Sequence, residues 1–171
     1  MPNLPLAQAH NDKEPPMKIT DALLGEHAVM YELFEHIRDT AHNANDVQEI
    51  QRIVLVVERL LLSHARIEED MLFPELEPHL GPMGPLAVMR SEHQEIEDLL
   101  TAAKAATDVG VLKSTIEQFL DLTYGHFQKE EQVLFAMAQQ VLDEPALTDL
   151  GTKWAARRKV VVDGQGCLGA A

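Results

Sequence analysis

An all-α fold, an up-down-up-down antiparallel four-helix bundle with a short C-terminal extra helix, is predicted by three observations. Four long segments carry apolar residues at i, i+3, i+4 and i+7 spacing. The links between them are short and rich in Asn, Asp, Gly and Pro. Aromatic residues make up only 5%, while Leu, Ala, Val, Glu and Met are plentiful, a balance that favours helices over strands.

The first residues, with prolines at 2, 5, 15 and 16, show no periodicity and read as a flexible arm over 1–19. Thr20 or Asp21 is placed to cap a helix running to about Ala41, with Leu23/Leu24, His27, Met30/Tyr31, Phe34 and Ile37 as its stripe. Asn45 or Asp46 caps the second helix, whose stripe runs from Ile50 through Leu60/Leu61, His64, Ile67 and Glu68 to Met71. Pro74 predicts its end near Phe73, and PELEPHLGPMGP then reads as the longest loop. A third helix covers about 85–107, with Leu86, Met89, His93, Ile96/Glu97, Leu100 and Ala103 inward. After Thr107–Gly110 a fourth reaches about Val141, its stripe including Phe119, His126/Phe127, Glu130 and Val133/Leu134. Pro145 opens the short fifth helix, ending near Arg158. The bundle thus spans 20–142, and the short helix and a flexible tail span 143–171.

The 171 residues suit one domain with a real core, at 46% apolar and 25% charged. A formal charge of −14 argues against nucleic acid or an anionic membrane as partner, since phosphates are repelled. No apolar run reaches membrane-spanning length, and the first residues lack a signal pattern, so a cytoplasmic location is expected. The one cysteine, Cys167, excludes an internal disulfide. A monomer or weak homodimer is expected.

Each long helix carries one histidine on its apolar stripe. In the second and fourth, a glutamate follows four residues later: His64-Ala-Arg-Ile-Glu68 and His126-Phe-Gln-Lys-Glu130. That spacing puts both side chains on one face, about 6 Å apart along the axis, so both reach one metal or the carboxylate bridges to a second. With turns centred near 44, 79 and 109, and about 1.5 Å of rise per residue, all four histidines fall in one layer. The set is also a repeat: His27, His64 and Glu68 recur as His93, His126 and Glu130, at offsets of 66, 62 and 62 residues. A lone inward histidine is ordinarily a hydrogen-bonded core residue, but two inward carboxylates cost several kcal/mol unless compensated. A divalent metal pair compensates them. Imidazole with carboxylate suits iron, manganese or zinc, and two carboxylates among four histidines favour a dinuclear centre over closed structural zinc.

Over about residues 20–140 this pattern resembles the hemerythrin family, and within it the bacterial HHE cation-binding branch. The resemblance implies two non-haem iron ions in an oxo- or hydroxo-bridged centre. His27, His64, His93 and His126 would be ligands and Glu68 and Glu130 the bridges. Glu69 and Glu131, beside the two glutamates, leave the choice of bridge open. Oxygen-carrying hemerythrins place a fifth histidine one turn after that of the third helix, where Glu97 stands here; this implies Glu97 as a seventh ligand that favours ferric iron, or else as a partner to His93 behind the metal. The ligand set is closest to the repair-of-iron-centres proteins, which act in nitrosative stress and carry a cysteine-bearing N-terminal domain not seen in this sequence. The implied role is to bind or react with a small diatomic or peroxide ligand (O2, NO or H2O2) in sensing or oxidative and nitrosative stress defence. An enzyme of this kind would be a di-iron oxidoreductase, of nitric oxide reductase or peroxidase/catalase type. Iron storage or donation and reversible O2 carriage are the alternatives. A ferritin-type oxidase is disfavoured, since Leu24, Leu61, Arg90 and Thr123 stand where its Glu-x-x-His pairs would need glutamate.

Tyr31, one turn after His27, faces the same layer as a hydrogen-bond donor, a phenolate ligand or a core tyrosine. His36 falls on the opposite face, and His10, His42 and His79 fall in the arm or turns.

Overall fold

The computed structural model describes residues 17–160, and every regular element among them is helical. Residues 1–16, which hold most of the expected arm and His10, and residues 161–171, which hold Cys167, lie outside the described residues. The helices are α1 (Ile19–Asn43), α2 (Val47–Ile67), α3 (Phe73–Leu80), α4 (Pro85–Ala105), α5 (Val109–Lys129), α6 (Phe135–Val141) and α7 (Glu144–Arg158). Side-chain caps open three of them. The Gln48 amide donates to Asp46, that of Val111 to Asp108, and that of Ala146 to Asp143, each satisfying an orphan N–H. At α1 neither Thr20 nor Asp21 caps: the helix already begins at Ile19, after Lys18. None of these helices is long and apolar enough to cross a membrane.

Packing follows the apolar stripes. α1 lies against α2 and α5, α2 against α4, and α4 against α5, so the four long helices close into a ring. Two apolar clusters fill it. One contains Phe34, Val54, Leu100 and Phe119, and the other Leu23, Phe73, Leu86 and Leu134. Along α1 the chain passes from the second cluster (Leu23) through His27 to the first (Met30). α2 makes the reverse passage through His64, α4 repeats that of α1 through His93, and α5 returns past His126. The histidine layer therefore sits between two dry apolar plugs, each of which excludes water from it. Leu24, Leu60 and Val133, expected on the stripes, are exposed, because each lies at the margin of an inward face filled by a neighbour.

The second helix does not stop near Phe73. It continues through a π-helical turn, Glu68–Leu72, into α3, and most of PELEPHLGPMGP is helix. The Phe73 amide bonds to the Glu68 carbonyl five residues back. The hydrogen-bond ladder returns to its ordinary register at Pro74, which has no N–H to lose, so the proline is accommodated where it would otherwise break the helix. The extra residue also turns Phe73 and Leu76 inward, leaving Met71 half-buried. A second π-turn, Glu130–Leu134, joins α5 to α6 in the same way, with the Phe135 amide on the Glu130 carbonyl.

α7 packs along α1 at close range, where Gly151 is required. A Cβ there would lie 2.0 Å from the Met17 carbonyl oxygen. Gly151→Val is expected to lift α7 from α1 and cost about 1–3 kcal/mol, the usual range for overpacking, read as a lower denaturant midpoint.

Candidate metal centre

Both π-turns begin at a glutamate of the histidine layer, and such turns are frequent at functional sites. Glu68 and Glu130 are wholly buried, as is His27, while His64 and His126 are nearly so. His93 alone among the four histidines is slightly open, with 9% of its side chain exposed.

The six side chains form two groups that share the glutamates. His27, His64, Glu68 and Glu130 make one group, and Glu68, His93, His126 and Glu130 make the other. Within each group the candidate ligand atoms lie within 4.8 Å of one another. Each carboxylate divides between the groups. Glu68 Oε1 lies 3.4 Å from His64 Nε2 and its Oε2 3.3 Å from His93 Nε2. Glu130 Oε2 lies 3.3 Å from His27 Nε2 and its Oε1 3.1 Å from His126 Nε2. Despite these distances, all four carboxylate oxygens and His93 Nε2 are buried without a hydrogen bond. Buried polar atoms are ordinarily paired, so atoms converging on common points rather than on each other fit a pair of cations.

The outer nitrogens give the same answer. His27 Nδ1 pairs with Glu131 (2.9 Å), His64 Nδ1 with Glu26 (2.8 Å), His93 Nδ1 with Glu69 (2.8 Å) and His126 Nδ1 with Glu92 (3.0 Å). An ionised carboxylate only accepts, so each Nδ1 carries a proton, and each Nε2 faces inward, where it offers its lone pair once a metal displaces any proton it holds. His27 Nε2 and His64 Nε2 then face each other at 3.0 Å, which requires a proton or a metal between them. Carboxylate-oriented imidazoles of this kind are what metal ligation uses to fix the tautomer and raise ligand basicity.

Charges are poised accordingly. Burial opposes a charge on His64, but Glu68 and Glu26 beside it outweigh burial and hold its pKa up at about 10. His93, likewise buried, is held up at about 9 by Glu68 and Glu69. Burial would raise Glu68, yet His64 and His93 keep it well below the carboxylate range. Glu26, against its own burial, is drawn down to about 2 by His64 and Arg158. Without metal, the buried carboxylates are compensated by imidazole protons. Loading metal at pH 7 is therefore expected to release protons, visible as a calorimetric heat that scales with the ionisation enthalpy of the buffer.

Of the residues expected in the site, the structure brings together His27, His64, Glu68, His93, His126 and Glu130. Within the adjacent pairs, Glu68 and Glu130 point inward, while Glu69 and Glu131 stand outside, bonded to Nδ1 atoms. Glu97 joins neither group: it is exposed and lines an outer cavity of about 180 Å³ with Glu69, Arg90 and His93. One turn beyond His93 on α4, it is carried past the inward face. Tyr31 is half-buried and donates its hydroxyl to Glu131 (3.0 Å), not to the centre. Its own burial and the Glu131 carboxylate push its pKa well above the ordinary phenol range, which disfavours a phenolate. His36 is exposed.

Sequence periodicity does not single out the outer carboxylates or the stacked rings. Phe127 stacks on His27 at 3.8 Å between centroids, and Phe73 on His93 at 5.8 Å. Phe135 lies over His27 at 5.7 Å. A signal for them is present: Glu-His occurs at 26–27 and 92–93, and Glu-Glu-x-x-Leu-Phe at 68–73 and 130–135. Beside His64, His93 and His126 lies a cavity of about 20 Å³, walled by Leu61, Leu62, Ala65, Ile96 and Phe127. That is room for one water-sized molecule.

Among characterised proteins, the chain is 26% identical over 146 residues to a DNA nickase of Nostoc sp., covering 85% of this chain and 40% of that protein. It is 29% identical over 111 residues to the iron-sulfur cluster repair protein YtfE of Enterobacter sp. (57% of this chain, 50% of that one). With YtfE of Escherichia coli the identity is 34% over 91 residues (46% and 41%). The chain thus spans half or less of the length of these relatives. No solved structure matches it. Residues 18–138 match the Hemerythrin HHE cation binding domain, a span containing all six converging side chains, and the chain belongs to that family.

Proposed function

We propose that this chain holds a dinuclear non-haem iron centre that binds or reacts with a small diatomic or peroxide ligand in sensing or stress defence. The observation that carries the metal reading is the sharing of Glu68 and Glu130 between two His-His groups, with all four oxygens buried and unpaired. The cavity of about 20 Å³ against three of the histidines supports a ligand of one or two heavy atoms over any organic substrate. We read the ring of helices as an up-down-up-down bundle with α7 added, supported by the alternating passage of successive helices between the two apolar clusters.

When bound, the irons supply redox equivalents and a place for the small ligand. The chain's residues do the rest. Leu61, Ile96 and Phe127 keep water from the ligand cavity, which strengthens electrostatic interactions inside it. Glu26, Glu69, Glu92 and Glu131 hold the imidazole tautomers. Tyr31, bonded to Glu131 and partly open to solvent, holds a proton at the outer edge of the His27 position.

A second reading, iron donation, is favoured by the likeness to the repair proteins and by the partial exposure of His93. A DNA-directed role is not adopted, because a chain of formal charge −14 repels phosphates. The test is metal analysis followed by anaerobic reduction and exposure to O2 and to NO, followed optically. Two irons per chain and a ligand-dependent spectral change are expected. Zinc alone, or no metal in a folded protein, refutes the centre. Loss of iron to an acceptor without ligand binding selects donation.

A further inference from the structure

The two halves of the centre are related by the sequence repeat, yet their surroundings differ. Glu26, which orients His64, receives three further hydrogen bonds from α7: Trp154 Nε1 at 2.6 Å, Arg158 Nε at 2.6 Å and Arg158 Nη2 at 2.7 Å. Both of its oxygens are engaged, and Arg158 Nη1 reaches on to Ser63, so the guanidinium ties α7 to α1 and α2. Its counterpart Glu92, which orients His126, has only Lys129, whose side chain is 48% exposed. A bidentate guanidinium fixes a carboxylate's plane, which an ammonium on a flexible stem does not.

The outer partners of His27 and His93 differ in the same direction. Glu131 accepts from Tyr31 as well as from His27 and is 26% exposed. Glu69 is 43% exposed. Under the 66-residue offset that relates His27 to His93, Tyr31 falls on Glu97, a carboxylate that repels Glu69 where the phenol would bond it. Cavities flank both halves: one of about 460 Å³ is bordered by Glu26, Trp154 and Arg158 but by no histidine, whereas the one of about 180 Å³ is bordered by His93 itself. α7 itself follows the family span, which ends at residue 138.

We propose that the two metal positions are unequal, and that Arg158 is a positioning residue which, through Glu26, makes the His27/His64 position the retained one, while the His93/His126 position exchanges. This rests on the dinuclear reading above. A metal leaves when an imidazole swings away. For His64 that swing breaks a contact to a carboxylate held by Trp154 and a bidentate arginine, whereas for His93 it breaks one contact to an exposed glutamate, with a cavity bordering the ring itself.

The test loads the full chain anaerobically with ferrous iron, counts it, and follows its release to a ferrous chelator. Wild type is expected to release two irons in two phases of one iron each. Arg158→Met should quicken the slow phase about 10- to 100-fold, the usual scale for loss of an outer partner, and leave the fast phase unchanged. Arg158→Lys should not restore it, and Trp154→Phe, which keeps the packing, should quicken the same phase less. In a His64→Ala background, which lacks the retained position, Arg158→Met should have no effect on the remaining iron. A single release phase, equal quickening of both phases, or an unchanged slow phase in Arg158→Met overturns the proposal. A wild-type count below two irons instead removes the dinuclear reading, and the count reports this before any release is followed.

Discussion

Glu68→Ala is expected to empty both metal positions, whereas His64→Ala empties one. The difference follows from how the ligand atoms are distributed. His64 contributes a nitrogen to one group alone, but Glu68 gives Oε1 to the His27/His64 group and Oε2 to the His93/His126 group. Its removal takes a negative charge from both positions in a dry layer, where each charge is worth several kcal/mol of cation stabilisation. Glu68→Gln separates charge from shape: the amide fills the same space with one neutral acceptor, so it too should bind less than one metal per chain. The measurement is metal per chain after dialysis, with helical content checked by circular dichroism. Full retention of two metals in Glu68→Gln would show that the carboxylate is not shared.

Stripping the metals is expected to lower the unfolding free energy by about 4 kcal/mol for each position, when free metal stands a thousandfold above Kd. The metal-free protein should then show the pH dependence of its buried ion pairs. His64 has its pKa raised from 6.5 to about 10, so the stability it contributes is full below 6.5 and is lost as pH rises towards 10. Glu68 is lowered from 4.5, so its contribution is present above that value and lost in acid. Metal-free stability should therefore peak between about pH 5 and 6.5, while metal affinity rises with pH as the imidazole protons become easier to displace. Replacing both glutamates by methionine should make the metal-free chain more stable than metal-free wild type, by about 1–4 kcal/mol, because packed apolar groups cost less to bury than ions. Denaturant melts of stripped proteins across pH test both statements. A double variant less stable than stripped wild type would mean that the buried ions stabilise the fold.

What could be read from sequence was what periodicity carries. Four helical stripes, the histidine layer and the repeat of His, His and Glu all follow from residues spaced by turns of an α-helix. The Asp46 cap and the opening of α7 beside Pro145 follow from local chemistry. Illegible were the features that break the period. At Pro74 the rule that a proline ends a helix gave way, because a π-turn had already altered the ladder. Glu97 was misplaced for a related reason: one turn after a ligand is not always inward, since the inward face here is already taken by Ile96 and Leu100. Glu26 and Glu92 escape a stripe reading because they sit beside inward positions and pass for solvated charges, while Glu69 and Glu131 are legible as rivals for the bridge but not as partners of Nδ1.

The two π-turns give each glutamate helix a defined rotational phase. Every residue of an α-helix advances the next by about 100°, so one extra residue within the turn resets the azimuth of all that follows while leaving the helix axis in place. Phe73 and Phe135 meet His93 and His27 only in that reset phase. Deleting Met71 or Gln132 would leave a continuous helix with every ligand intact and its capping phenylalanine swung from the imidazole. A change of length by one residue there alters what surrounds the centre without altering what composes it, so insertions and deletions are a route to tuning this site distinct from substitution.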